Sequence, residues 1–157
     1  MGFSFWLRSI LCLLIMLSFA AACSSSEEKL PQGARELTFE IKAKQFVWQV
    51  KHPGADGQLD TEDDLFLENQ IVLPEKTRVH LQLESLDVIH GFWLPSRSLR
   101  LTLIPGKKYE ASLDFVKTGK FRLACSENCG VGHSHMIGWL VVLDQESYQS
   151  WLTSQKK

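Results

Sequence analysis

Cys125, Cys129, His133 and Met136 fall at gaps of four, four and three residues within the stretch CSENCGVGHSHM (residues 125–136). Two thiolates and an imidazole suit zinc, copper or iron, and a thioether moves the balance toward copper. Structural zinc sites are instead closed by Cys or His at all four positions. A single-copper blue site takes one cysteine, two histidines and a weak axial methionine. This loop holds that set plus a second cysteine, and two sulfurs can bridge two copper ions. The alternative is a Cys125–Cys129 disulfide, which an oxidising compartment favours. That bond would close a very small loop and leave His133 and Met136 without a role.

The density of soft ligands rises further once the front of the chain is set aside. The sequence has 157 residues, four cysteines, three methionines, five histidines, a formal net charge of −1 and 45% hydrophobic residues. Those figures suit one globular domain with an appendage. Arg8 precedes the apolar run SILCLLIMLSFAAA (9–22), which is shorter than the roughly 20 residues of a bilayer-spanning helix. Residues 1–22 therefore read as a secretory signal of the lipoprotein type. The small residues AAA and then Cys23, followed by SSSEEK, resemble a bacterial lipobox, with Ala20 where leucine is usual. Cys23 is the candidate lipidation site, and simple cleavage after Ala22 is the alternative. Cys12, Met1 and Met16 would leave with the signal, so Met136 is the last methionine and only Cys125 and Cys129 remain beyond the anchor.

Residues 23–35 are a polar tether with Pro31 and Gly33. Beyond it, ELTFEIKAKQFVWQV (36–50) alternates apolar and polar side chains with the period of a half-buried strand. NQIVLP, TRVHLQLESLDVI, LRLTLIP, KYEASLDFV, KFRLAC and GWLVVL repeat that texture between Pro, Gly and charged turns. Such spacing predicts an all-β sandwich or small barrel. Only QESYQSWLTSQ (145–155) has helical periodicity, with Tyr148, Trp151 and Leu152 on one face.

Charge is uneven. Asp56, Asp60, Glu62, Asp63, Asp64, Glu68, Glu75, Glu84 and Asp87 stand against Lys76 and Arg78 between positions 56 and 87. Such a face either steers a basic partner or is a solvated surface. The stretch ADGQLDTEDD hints at calcium but lacks EF-hand spacing, and a plain loop is the preferred reading. His52, in a loop, and His80, on a strand, are expected to be solvated. No nucleophile–base pair suggests acid–base hydrolysis.

CSENCGVGHSHM resembles the dinuclear copper (CuA) loop of cytochrome c oxidase subunit II. DVIHGFWLPSRSLRLTLIPGK (87–107) resembles the segment of the same family that carries the remaining histidine. The likeness runs over about residues 36–145, with two separated motifs in matching order. It implies a cupredoxin-like Greek-key β-sandwich with a short C-terminal helix, occupying residues 36–157. It also implies that Cys125 and Cys129 bridge two copper ions. His90 with Met136 would complete one, and His133 with the Glu127 backbone carbonyl the other. The Glu127 carboxylate resembles one that helps bind magnesium at the interface with the catalytic subunit. His135 departs from the family's ligand positions and reads as a surface histidine.

The implied role is to take electrons from cytochrome c, or another small donor, and pass them to the haem–copper subunit I of a terminal oxidase. The chain itself would make no bonds. Phe46 stands where the electron is expected to arrive, at a position where relatives commonly carry tryptophan, and Trp48 is retained. Core packing is the other reading of Trp48. Family members usually carry one or two transmembrane helices before this domain, whereas here a signal and lipid anchor are expected, on the outer face of the cytoplasmic membrane. The alternative is a free-standing, lipid-anchored periplasmic electron carrier or copper-handling protein.

Overall fold

A computed structural model describes residues 29–155. The signal 1–22, Cys23 and the front of the tether lie outside the described residues, and among those described no helix is long and apolar enough to cross a membrane. Ten strands follow: β1 (Arg35–Lys44), β2 (Val47–His52), β3 (Leu65–Glu68), β4 (Gln70–Pro74) and β5 (Thr77–Ser85). The second half adds β6 (His90–Leu94), β7 (Leu99–Leu103), β8 (Lys108–Phe115), β9 (Gly119–Cys125) and β10 (Ile137–Leu143), and the helix α1 (Gln145–Gln155) closes the fold.

The strands form two five-stranded sheets, ordered β3-β2-β1-β5-β8 and β4-β10-β9-β6-β7. Each contains one parallel pair, β1 with β5 and β4 with β10, among antiparallel neighbours. Leu37, Phe39, Ile41 and Ala43 of β1 point inward with Val79, Leu81 and Leu83 of β5. They meet Phe92, Leu94, Leu123, Leu140 and Val142 of the other sheet, the interdigitated core of a sandwich. The predicted cupredoxin-like sandwich is thus the fold observed.

β4 departs from strict alternation because both its faces are covered. Ile71 and Leu73 face the core, while Val72 packs beneath Tyr148 and Leu152 of α1. The helix starts at Asp144, whose carboxylate accepts from the Ser147 amide at 2.9 Å and its hydroxyl at 2.7 Å. That cap satisfies an amide that the first turn leaves unpaired.

Two expectations change. The run 36–50 is not one strand but the hairpin β1–β2, with Ala43 opposite Trp48 and Lys44 opposite Val47. No Gly or Pro marks the turn, because long-range bonds shape it: the Gln45 amide donates to Asp87 at 2.8 Å. His52 is not solvated but fully buried. Its Nδ1 accepts from the Gly54 amide at 3.0 Å, so Nε2 carries the proton and donates to the Val72 carbonyl at 3.0 Å. Tyr148 Oη lies 3.3 Å from the same nitrogen, and the Trp151 ring centre is 5.0 Å from the imidazole. Burial pushes its pKa down to about 4. His80 remains partly exposed beside Ser112 and Glu36.

β2 also fixes where the acidic loop sits. It runs from the turn at Phe46 to His52, and β3 returns antiparallel with His52 opposite Leu65. Residues 53–64 therefore leave the sandwich at the end next to α1, while Asp60 reaches back over the outer face of the first sheet, beside Glu40 and Glu84. Asp63 accepts from the Ala55 amide at 2.6 Å and the Thr61 hydroxyl at 2.7 Å, and Lys51 sits 3.1 Å from Asp64. Amides and an ammonium thus engage these carboxylates, as in a plain loop.

Candidate metal centre

Cys125 is the last residue of β9, and its amide donates to the Met136 carbonyl at 3.0 Å. That bond is the final rung of the β9–β10 hairpin, so residues 126–135 form its projecting connection. A single 3₁₀ turn at His133–His135 folds the connection back, which returns Met136 to the core. β6 lies beside β9 with Phe92 opposite Cys125, and this pairing brings His90 to the same place from 35 residues away in sequence.

His90 and Met136 are fully buried, and Cys125 and Cys129 nearly so. The two Sγ atoms are 3.8 Å apart, and both cysteines are free. His90 Nδ1 lies 3.8 Å from Cys125 Sγ, and His133 Nδ1 3.7 Å from Cys129 Sγ. Met136 Sδ is 3.9 Å from Cys129 Sγ, and the Glu127 carbonyl is 3.2 Å from Cys125 Sγ. A disulfide needs about 2.05 Å between sulfurs, so the sulfurs stand as two separate donors. Two ligands about 2.3 Å from one ion at a tetrahedral angle lie about 3.8 Å apart. The donor set and its spacing therefore fit soft metal ions. Among the described residues, His90, Cys125 and Cys129 present ligand atoms that all lie within 4.8 Å of one another.

Further contacts set how these donors are presented. His90 Nε2 lies 2.8 Å from Asp87 Oδ1. A carboxylate acceptor places the proton on Nε2 and leaves the Nδ1 lone pair facing Cys125. Partial burial would raise the Asp87 pKa, but donors from the Gln45 amide, His90 and the Val88 amide outweigh it and hold the group below its ordinary value. Gln45 also reaches the opposite half of the site, its Nε2 donating to the Cys129 carbonyl. The Gly91 amide donates to Cys125 Sγ at 3.5 Å. Burial and the neighbouring Cys125 thiol push the Cys129 thiol up to about 11. Metal uptake must therefore displace a tightly held proton.

Close packing dictates two glycines. A Cβ at Gly91 would lie 2.2 Å from Ser126 Oγ and 2.8 Å from the Glu127 amide nitrogen. At Gly132 it would lie 2.4 Å from Phe46 Cδ2. Phe46, half-buried, thus covers the ligand loop, whereas Trp48 is fully buried behind it. Trp48 packs edge-on to Phe92 at 5.5 Å and tilted to His90 at 6.3 Å, with no hydrogen-bond partner for its Nε1 among the described residues. His133 is half-exposed and His135 exposed at the loop surface. The Glu127 carboxylate faces Arg100, 3.1 Å away.

The sequence motifs point to His90, Cys125, Glu127, Cys129, His133 and Met136, and the structure brings all six together. Sequence reasoning did not find Asp87, Gln45 or Gly91 as supports. Asp87 carries a signal, three residues before His90 in DVIH. Gln45 carries none, because its partners lie 42 and 84 residues away.

The family described as Cytochrome C oxidase subunit II, periplasmic domain, matches residues 42–143. This chain belongs to that family. The alternative cytochrome c oxidase subunit 2 of Bradyrhizobium diazoefficiens is 30% identical over 149 residues, covering 81% of this chain and 53% of the relative. The chain spans about half the length of the curated relatives it matches. Among solved structures, the periplasmic domain of subunit II of cytochrome oxidase (CoxB) of Bradyrhizobium japonicum superimposes with a TM-score of 0.67 at 27% identity, over 82% of this chain and 97% of that one. A mixed disulfide intermediate between a thioredoxin-like protein and subunit II of cytochrome c oxidase gives 0.62 at 28% identity, over 82% and 96%.

Proposed function

We propose that this subunit II domain holds a dinuclear copper centre and relays single electrons from a small donor, cytochrome c, to the haem–copper subunit of a terminal oxidase. The observation that carries the reading is the pair of free sulfurs 3.8 Å apart, with His90, His133, Met136 and the Glu127 carbonyl each within 4 Å of one of them. Held by both thiolates, two copper ions would share one electron's charge, so these ligands would need to rearrange little. Cys125 and Cys129 would bridge, His90 and Met136 would serve one ion, and His133 and the Glu127 carbonyl the other. Asp87 fixes the His90 tautomer, and Gln45 ties the β1–β2 turn to the Cys129 backbone. The two packed sheets hold these groups at their separations, the preorganisation a redox site needs. Phe46, over the loop, is the proposed point of electron arrival, with Trp48 packing behind it.

Magnesium at Glu127 gains no support from the site, because the carboxylate is already engaged by Arg100 and approached by Thr102 at 3.5 Å. A solved relative forms a mixed disulfide with a thioredoxin-like protein. The proposal therefore includes a thiol-reducing partner that keeps Cys125 and Cys129 reduced until copper arrives. Residues 1–22 and Cys23 would export the domain and anchor it by lipid at the outer face of the cytoplasmic membrane.

The lipobox-like sequence around Cys23 also favours a second reading, a free-standing lipid-anchored copper carrier. Co-purification with a haem-containing membrane protein supports the oxidase subunit, and its absence supports the carrier. The test of the centre itself is copper content and electron paramagnetic resonance of the copper-loaded chain. Two coppers per chain, with one unpaired electron split by both nuclei, is the expected result. One copper with a simple four-line pattern, or zinc, refutes the dinuclear site.

A further inference from the structure

One end of the sandwich carries a cluster of cations that the metal centre does not use. The β8–β9 turn, the 3₁₀ turn Pro95–Arg97 after β6 and the chain leading into β1 meet there around a cavity of about 470 Å³. Lys29, Arg97 and Lys117 line it, with Asp114 and Phe121. β9 runs from this turn to Cys125, so the cavity and the ligand loop lie at opposite ends of that strand.

Among the described residues Arg97 is held by rings and not by a carboxylate. Its guanidinium carbon lies 4.5 Å from the Phe115 ring centre and 5.0 Å from that of Phe121. Stacking uses the face of the planar guanidinium and leaves the N–H donors along its edge for a bidentate acceptor. The nearby carboxylates are engaged elsewhere. Asp114 accepts from Arg78 at 2.7 and 2.9 Å, and Glu36 lies 3.4 Å from His80. A second cavity of about 500 Å³ shares Arg97 and adds Arg78 and His80, so positive charge continues along this edge. Phosphate oxygens are the acceptors that match a fixed guanidinium flanked by ammonium groups.

The chain itself indicates where such a phosphate comes from. Lys29 is six residues beyond Cys23, the candidate lipidation site, and that many residues reach about 20 Å at most when extended. An anchored Cys23 therefore keeps this end of the sandwich within reach of the headgroup layer, where lysines and arginines are drawn to anionic lipid.

We propose that Arg97, Lys29 and Lys117 bind the phosphate of an anionic phospholipid headgroup and hold the tether end of the sandwich against the bilayer. This rests on the lipid-anchor reading above for the nearness of the lipid. Phosphatidylcholine carries its own cation beside the phosphate, so the site prefers phosphatidylglycerol.

The experiment places the full, copper-loaded, isotope-labelled chain in phosphatidylcholine bicelles and adds phosphatidylglycerol. Nuclear magnetic resonance follows the Arg97 Nε–H and the backbone amides of Lys117, Thr118 and Gly119. Phosphatidylglycerol is expected to shift these signals to saturation. Arg97→Ala and Lys29→Ala are each expected to weaken that binding by about fivefold or more, with copper content and circular dichroism unchanged. Lys29 precedes the first strand, so its variant stays decisive if Arg97→Ala fails to fold. Inorganic phosphate is expected to bind at least about tenfold more weakly, because the anchor raises the effective concentration of the headgroup. An equal response to inorganic phosphate makes this a site for the free ion and overturns the lipid assignment. Signals unmoved by phosphatidylglycerol, variants that bind like wild type, or shifts spread equally over other exposed cations such as Lys44 and Lys107 overturn the site. Mass spectrometry of the Cys23 peptide separates the two readings: a peptide without acyl chains refutes the anchor alone, and the titration still decides the site.

Discussion

Lowering the pH should weaken this fold through one residue far from the metal loop, the buried His52. Its imidazole is neutral in the folded protein, donating to Val72 and accepting from Gly54, and burial lowers its pKa from 6.5 to about 4. The unfolded chain binds the proton more readily, so stability falls as pH drops through the interval between those two values. Above about 6.5 there is no penalty from this group, and by about pH 4.5 the loss reaches about 2.5 kcal/mol. His52→Gln supplies the control, because an amide can still accept from Gly54 and donate to Val72 without titrating. Denaturant unfolding of both proteins from about pH 8 to 4.5, followed by tryptophan fluorescence, isolates the His52 contribution as the difference between the curves. Metal release at low pH is common to both proteins and cancels. The wild type is expected to lose about 2 to 3 kcal/mol more than the variant over that range. Parallel curves, within about 0.5 kcal/mol, would refute the claim that a neutral, desolvated His52 staples α1 to the sandwich.

Two further outcomes test the supports of the candidate centre. Asp87→Asn removes the charge that fixes the His90 tautomer, and copper affinity measured by chelator competition should fall by about 10- to 100-fold, with the circular dichroism spectrum retained. Gly132→Ala puts a methyl 2.4 Å from Phe46 Cδ2. It should cost about 1–3 kcal/mol in denaturant unfolding, while Val131→Ala beside it changes stability by less than about 0.5 kcal/mol.

How far each feature was legible depended on whether its cause was local. The strand texture is a period-two pattern within single segments, and the helix Gln145–Gln155 is a periodic run behind an Asp144 cap, so both could be read directly. Five of the six candidate ligands sit within one 12-residue stretch, and the sixth lies in a motif of its own. The short strands β3 and β6 escaped notice because LFLE and HGFWL are too brief to show a period. The hairpin turn at Gln45–Phe46 escaped because it contains no turn residue. Asp87, Cys129 and the glycines beneath Phe46 shape it, and each arrives from a distant part of the chain.

Residue types and their spacing thus determined the sandwich class, the family and the chemistry of the loop, because strand periodicity and ligand identity are properties of neighbouring residues. Tertiary structure alone decided that His52 is buried and neutral, that Glu127 faces Arg100, and that Asp87 and Gln45 brace the ligand loop. In each case the partner is remote in sequence, and only the packing of one sheet on the other, and of α1 on β4, sets which distant groups meet and which stay in water.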